Sequence, residues 1–223
     1  ANNVLAHVPD INGFSQACKT LLAPDGVATF EFQHLLSLVD QGQFDTIYHE
    51  HFSYLSLTST ISILAGAGLE VFHVERFPTH GGSLRVYAKR GSLIGRDRRS
   101  SVERLLEEED KKGIRDPRFY LSLQDVAERC KEGLLQFLVN TVQCGELVVA
   151  YGAAAKGNTL LNFVGASSDL IPYVADRNPA KQGKYLPGSR IPVVSEEHLR
   201  QDRPDYVLVL PWNLAAEIAE QLR

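Results

Sequence analysis

Four consecutive residues, Tyr48-His49-Glu50-His51, within FDTIYHEHFSYLS, place a phenol, two imidazoles and a carboxylate side by side, framed by Phe44, Phe52 and Tyr54. A solvated loop has no need of so many bulky groups, and a core strand does not tolerate so many titratable ones. A half-buried pocket wall accommodates both. Imidazole, with an ordinary pKa near 6.5, is the side chain best suited to moving protons at neutral pH. In a strand, His49 and His51 share one face, with Tyr48 and Glu50 on the other. In a turn or helix, Tyr48 and His51, three apart, fall on the same side. A polar strand edge carrying stacked aromatics is the plainer alternative. Histidines around a carboxylate are also raw material for a metal centre, with His73 and His80 as further donors. No motif fixes a third ligand, and no metal is assigned.

A second constellation lies further along. Tyr151-Gly152-Ala153-Ala154-Ala155-Lys156-Gly157-Asn158 follows an apolar run and opens a helical pattern, the place where a Rossmann-like turn offers backbone N–H groups to phosphate. Ala154 stands where the second glycine of such a loop is usual, and Lys156 adds a charge. Asp176 follows about 20 residues later, at the end of the next apolar strand, where an acid commonly takes a ribose hydroxyl. Gly152, Lys156, Gly157, Asp176 and Lys181 therefore form a candidate cradle for a nucleotide diphosphate, with Lys184 also within reach of a phosphate. Tight helix–strand packing explains the same glycines without a ligand. Trp212, in Pro211-Trp212-Asn213, can stack on a base or simply close the core. Thr79-His80-Gly81-Gly82-Ser83 reads either as a turn with positive-φ glycines or as a loop approaching a ligand closely.

The elements that must position these groups follow from periodicity. Residues 13–23 carry a helical stripe, 27–32 alternate as a strand, and 34–39 and 56–67 read as helices. Strands follow over 69–77 and 83–90. Helix, strand, helix, strand, strand is the order of the closing half of an open methyltransferase-type α/β sheet, ending in an antiparallel pair. A basic connection over 91–101 leads to helices over 101–112 and 121–144. A second α/β unit then has strands over 146–151, 171–175 and 206–210, with helices over 158–164 and 214–222. These patterns predict an α/β protein: part of an open Rossmann-like sheet (residues 1–92), then a helical linker and a second Rossmann-like domain (93–223).

Composition excludes several classes. A net charge of -4 lacks the basic face that a nucleic-acid backbone requires. No apolar run approaches the roughly 20 residues that span a bilayer. Three scattered cysteines, Cys18, Cys130 and Cys144, make neither a zinc knuckle nor a disulfide framework, which suits a reducing cytoplasm. The chain opens on Ala1-Asn2-Asn3 and contains no methionine, so it reads as a fragment.

Seven segments in order, ANNVLAHVPD, GVATFEF, FDTIYHEHFSYLS, THGGSLRVYA, YGAAAKGNTLLNF, DRNPAKQGKYLPGSRIPV and PDYVLVLPWN, resemble the sugar C-methyltransferases of deoxysugar biosynthesis. Those enzymes use S-adenosylmethionine to methylate a carbon next to a ketone on a nucleotide-linked sugar. The resemblance covers the latter part of their methyltransferase domain, which implies part of a class I methyltransferase Rossmann-like sheet over residues 1–92, and the whole C-terminal domain. Their zinc-binding domain and Gly-rich cofactor loop have no counterpart, so weak cofactor binding by this chain is expected. The resemblance implies His51 as base assisted by Tyr48, Glu50 as a substrate contact and His7 as a further active-site histidine. It also implies cofactor contacts at Asn2 and Asn3 and a sugar-facing loop at His80, Gly81 and Gly82. His49 is then a structural histidine. A cytoplasmic enzyme acting on a nucleotide sugar, with no nucleic-acid or membrane partner, is the expectation. The alternatives are a non-catalytic nucleotide-sugar binding module, or a nicotinamide oxidoreductase built on Gly152–Asp176, against which the glycine pattern and Lys156 count.

Overall fold

The computed structural model of the chain describes residues 1–91 and 100–222; most of the basic connection expected over 91–101 lies outside them. The chain forms two compact units, Ala1–Phe44 with His49–Gln124, and Asp45–Tyr48 with Asp125–Arg223.

The first unit contains α1 (Ile11–Leu21), β1 (Val27–Gln33), α2 (Leu35–Asp40), α3 (Leu57–Gly66), β2 (Leu69–Phe77), β3 (Ser83–Arg90) and α4 (Ser100–Lys112). Its sheet has the order β1-β3-β2, and both neighbours run antiparallel to β3. Strand period two then sorts the side chains. Phe30, Phe32, Leu84, Val86, Leu69, Val71 and Val74 face a core closed by Phe14 of α1, Leu57 and Leu64 of α3, and Val102 and Leu105 of α4. The other face is polar: Glu31 lies in register with Arg85, and Arg85 with Glu75. At the outer edge of β1, Asn3 N–H donates to Glu31 O (2.8 Å) and Glu31 N–H to Ala1 O (3.0 Å), the slanted pattern of a parallel neighbour.

Helix α1 is capped by Asp10, whose carboxylate accepts from Gly13 N–H at 2.8 Å. A Ser56–Ser59 capping box starts α3. Because α4 buries its apolar stripe in the first core, that unit continues to Gln124, and the division falls inside α5 (Arg118–Cys144). The boundary expected at 92/93 followed a change in composition; an amphipathic helix alters composition without changing cores.

The second unit continues with β4 (Val148–Tyr151), α6 (Ala155–Val164), β5 (Val174–Ala175), β6 (Val193–Val194), α7 (Glu196–Asp202), β7 (Tyr206–Val209) and α8 (Ala215–Gln221). All pairings are parallel, in the order β6-β5-β4-β7. This is the Rossmann-like α/β arrangement, in which chain order reverses between β4 and β7. Val148 and Ala150 pack towards Leu138, Leu161 and Val164, whereas Val149 and Tyr151 pack towards Leu199 and Ile218. Burial on both faces is why β4 reads as an unbroken apolar run.

Several expected bounds move in this unit, and β6 and α7 had no counterpart among the expectations. Helix α6 starts at Ala155, three residues ahead of expectation, because the small residues of the loop form its first turn. β6 has only two residues, too few for a pattern. α7 carried a readable signal, a Ser195 cap followed by Glu196 and Glu197.

Candidate functional site

In open α/β sheets, ligands gather at the carboxyl ends of parallel strands. In the first unit, the carboxyl end of the Ala1–Asn3 stretch leads into a 3-10 turn, Leu5–His7, anchored by fully buried Leu5. Ala6 O accepts from both Phe52 N–H (2.9 Å) and Ser53 N–H (3.2 Å), which brings the histidine-rich segment alongside. That segment is a bend and turn, neither strand nor helix. The His7 and His51 rings lie 4.7 Å apart between centroids, and Tyr54 meets His51 edge-on at 6.1 Å. His7 Nδ1 is 2.9 Å from Glu50 O. A carbonyl only accepts, so Nδ1 carries the proton, and neutral His7 presents Nε2 as its basic atom.

Tyr48 and His51 are half-buried, while His49 and Glu50 are exposed. His49, expected to be structural, is therefore on the surface. Glu50 takes part through its backbone carbonyl. Tyr48 packs with the second unit and His51 with the first.

Thr79–Gly81 form a 3-10 turn in which His80 has φ 55°, followed by Gly82 at φ 116°. A Cβ on Gly82 would lie 2.7 Å from Ser37 Oγ as well as being strained by that φ. Asn3 is also left-handed, at φ 53°. Its Nδ2 lies 3.3 Å from His80 Nε2, so with the amide donating, Nε2 is the acceptor and neutral His80 keeps its proton on Nδ1. Two non-glycine residues in the left-handed region, joined side chain to side chain, mark a locally strained site held by its surroundings.

The holders were not legible in the sequence. Gly81 O accepts from Gln43 Nε2 at 2.6 Å, and buried Gln43 accepts in turn from Gln33 Nε2 at 2.5 Å. Glu31, also buried, accepts a two-pronged contact from Arg85 (2.7 and 3.1 Å) and one from Thr79 Oγ1 (3.5 Å). A glutamine in the connection after a helix and an alternating Glu carry no local mark of such roles.

In the second unit, the ends of β4 and β7 meet where chain order reverses. Gly152 has φ 85°, and a Cβ there would lie 2.6 Å from Pro211 Cδ; one on Gly157 would lie 2.4 Å from Leu210 Cβ. Close approach of the chain after β7 thus accounts for both glycines. The same approach brings Lys156 Nζ to 3.1 Å from Asn213 Oδ1 and to 4.6 Å from the centre of the Trp212 ring. Trp212 Nε1 donates to the buried carboxylate of Asp45 at 2.6 Å. Burial pushes the Asp45 carboxyl up, against the pull of the Trp212 bond and the Lys156 charge. Burial likewise holds the Lys156 ammonium below the ordinary lysine range, with Asp45 opposing it. Asn158 Oδ1, in the first turn of α6, is buried with no hydrogen-bond partner among the described residues.

Asp176 and Lys181 form a separate group. Asp176 accepts from Ala153 N–H (2.7 Å) and Asn178 N–H (2.8 Å), and Lys181 Nζ lies 2.8 Å from Ala153 O and 3.3 Å from Asp176. They meet each other and brace the loop, and Lys156 faces β7 instead. Trp212, Asn213 and Asp45 gather with Lys156 at that end of the sheet. Of these, the sequence singled out only Trp212, because the neighbourhood of β4 and β7 is a tertiary fact.

Among the described residues, no group of three or more His, Cys, Asp or Glu side chains is placed to hold a metal ion, and no helix is long and apolar enough to cross a membrane. Residues 78–223 match the family model of the C-methyltransferase C-terminal domain. The chain is also 40% identical over 215 residues to a C-methyltransferase, NovU, of Streptomyces niveus, an alignment covering 96% of this chain and 51% of that protein. The chain thus spans about half the length of the curated relative it matches. With an α/β fold of this topology and a family match over most of its length, this chain belongs to the C-methyltransferase family.

Proposed function

We propose that the protein of which this chain forms part methylates a carbon adjacent to a ketone on a nucleotide-linked deoxysugar, with S-adenosylmethionine as methyl donor. The observation that supports this most is the His7–His51 pair at the carboxyl edge of the first sheet, with the His7 proton located on Nδ1 by the Glu50 carbonyl. Carbon methylation beside a ketone requires removal of an α-proton and a partner for the enolate oxygen that develops. His51 takes the proton, with the Tyr48 hydroxyl assisting. His7 offers Nε2 as a second proton acceptor beside it. His80, its Nε2 engaged by Asn3, offers Nδ1–H as a donor to the sugar, and the Gly81–Gly82 backbone allows close approach.

Asn2 and Asn3 are exposed amides at the end of a parallel edge. Their paired donor and acceptor groups fit the polar rim of the cofactor. When bound, S-adenosylmethionine supplies a methyl group already activated on sulfonium, so the protein's own task is to hold the acceptor and move its proton. In the second unit, Gly152–Gly157, Lys156, Asn213 and Trp212 form the crevice for the nucleotide diphosphate. Asn158 Oδ1, buried and without a partner among the described residues, is an acceptor suited to a ligand hydroxyl. Asp176 and Lys181 contribute by bracing the Ala153 turn.

The test uses the proton step alone. Intact enzyme incubated with a keto-sugar nucleotide in deuterium oxide, without methyl donor, should incorporate deuterium at the α-carbon. His51→Ala should lose that exchange. Exchange at the wild-type rate in His51→Ala would sink the assignment of the base.

A further inference from the structure

We propose that Glu109, acting through His34, is a positioning residue for the sugar-facing loop and the histidine-rich segment. This inference rests on the reading of those two stretches as the reaction site.

Glu109 lies in α4, away from the residues assigned to chemistry, and it is completely buried, as is His34 to within 1%. A buried carboxylate is costly unless each of its oxygens is satisfied. Here Oε1 accepts from His34 Nε2 (2.8 Å) and Leu57 N–H (2.7 Å), and Oε2 from Thr58 N–H (2.9 Å) and Thr58 Oγ1 (2.6 Å). Leu57 and Thr58 begin α3, whose cap, Ser56, takes Ser59 N–H at 3.0 Å. Glu109 thereby satisfies two backbone donors that the local cap leaves over. That much is structural.

The fourth donor, His34, has no part in capping α3. With a carboxylate accepting, Nε2 must carry the His34 proton, so the ring is locked in one tautomer and one orientation. The backbone at this locked residue holds both walls of the site. His34 N–H donates to Gly82 O at 3.0 Å, and the next N–H, Leu35, donates to Leu55 O at 2.9 Å. Gly82 ends the His80-bearing loop, and Leu55 follows Tyr54 and the His51 stretch. A shift of His34 therefore moves His80 and the His51 segment relative to each other. Misplacement of about 1 Å in such a site costs on the order of a hundredfold in rate.

The experiment compares five variants in the intact enzyme. His34→Leu removes the donor and leaves Glu109 on α3. His34→Gln keeps a side-chain N–H that can reach the carboxylate. Glu109→Gln weakens both functions, and His80→Ala and His51→Ala report on the site itself. At a temperature where each is folded by near-ultraviolet circular dichroism, His34→Leu and Glu109→Gln should show kcat lowered by about 10- to 100-fold. The dissociation constant for S-adenosylmethionine should stay within about twofold, and the imidazole resonances of His51 and His80 should shift. His34→Gln should recover most of the rate, which a purely structural role does not require. If His80→Ala is impaired while folded His34→Leu and Glu109→Gln turn over at the wild-type rate, the positioning role is overturned and the site stands. If His80→Ala and His51→Ala are both unimpaired, the site reading fails, and the positioning role falls with it.

Discussion

At the scale of single residues, the useful distinction is between groups whose proton is located and groups whose charge is tuned. His7 and His80 belong to the first kind, because a carbonyl and an amide fix which ring nitrogen is protonated. His51→Ala in the intact enzyme should lower kcat by roughly 10²–10⁴-fold, the usual cost of a lost general base, and Tyr48→Phe should cost less; steady-state kinetics with saturating cofactor would measure both. Lys156 belongs to the second kind. Its ammonium is half-buried against Trp212, so a diphosphate arriving beside it would offset a desolvation cost already present. Lys156→Ala should weaken nucleoside diphosphate binding by about 1–3 kcal/mol, the worth of a charge-assisted hydrogen bond, with little effect on the chemical step. Trp212 is the chain's single tryptophan, so its fluorescence reports the titration. Unaltered affinity in Lys156→Ala would reduce the loop to packing.

Between residues and the whole lies the element, and here helix starts carry the argument. Helix α6 can begin immediately after β4 only because Gly157 has no Cβ against Leu210. Gly157→Ala would press a methyl to 2.4 Å from Leu210 Cβ, and overpacking of this kind costs about 1–3 kcal/mol; chemical denaturation would measure it. Helix α3 begins on Glu109. Burial raises the carboxyl of Glu109, but His34, the Thr58 hydroxyl and two backbone N–H groups together outweigh it, and the net shift is below the ordinary 4.5. A depressed folded-state pKa contributes stability that is fully present above the unfolded value and is lost as pH falls through the folded one. Wild-type stability should therefore drop as pH falls below about 4.5, and Glu109→Gln should flatten that part of the curve. Equal acid slopes in the two proteins would contradict the shift.

For the whole molecule, the two compact units each have their own apolar core, the first one-sided beneath its sheet and the second on both faces of a parallel sheet. Leu161 is fully buried in the second. Leu161→Ala should cost about 2–5 kcal/mol through the lost methylenes and the cavity they leave. Amide exchange within 125–222 should quicken accordingly, which mass spectrometry after hydrogen exchange would resolve.

Periodicity and punctuation in the sequence determined the local elements. β2 and β3 occupy the expected residues, α4 and β1 differ by one residue at one end and α3 by one at each end, because period-two alternation, small-residue stops and Ser caps are written locally. The same local record left His51 grouped either with His49 in a strand or with Tyr48 in a turn, and read Gly152–Gly157 as a small-residue loop leading into a helix. Strand neighbours and buried partners are set by burial and by which residues distant in the chain come together, and these were decided only in three dimensions. Lys156 meets Asn213 because β7 lies beside β4, and Asp176 turns inward because the Ala153 N–H is there to satisfy it. His34 and Glu109, 75 positions apart, meet because α4 packs over the first sheet rather than serving as a linker. A sequence records what each residue is able to do; the tertiary structure decides which capacities are used up within the protein and which are left for a ligand.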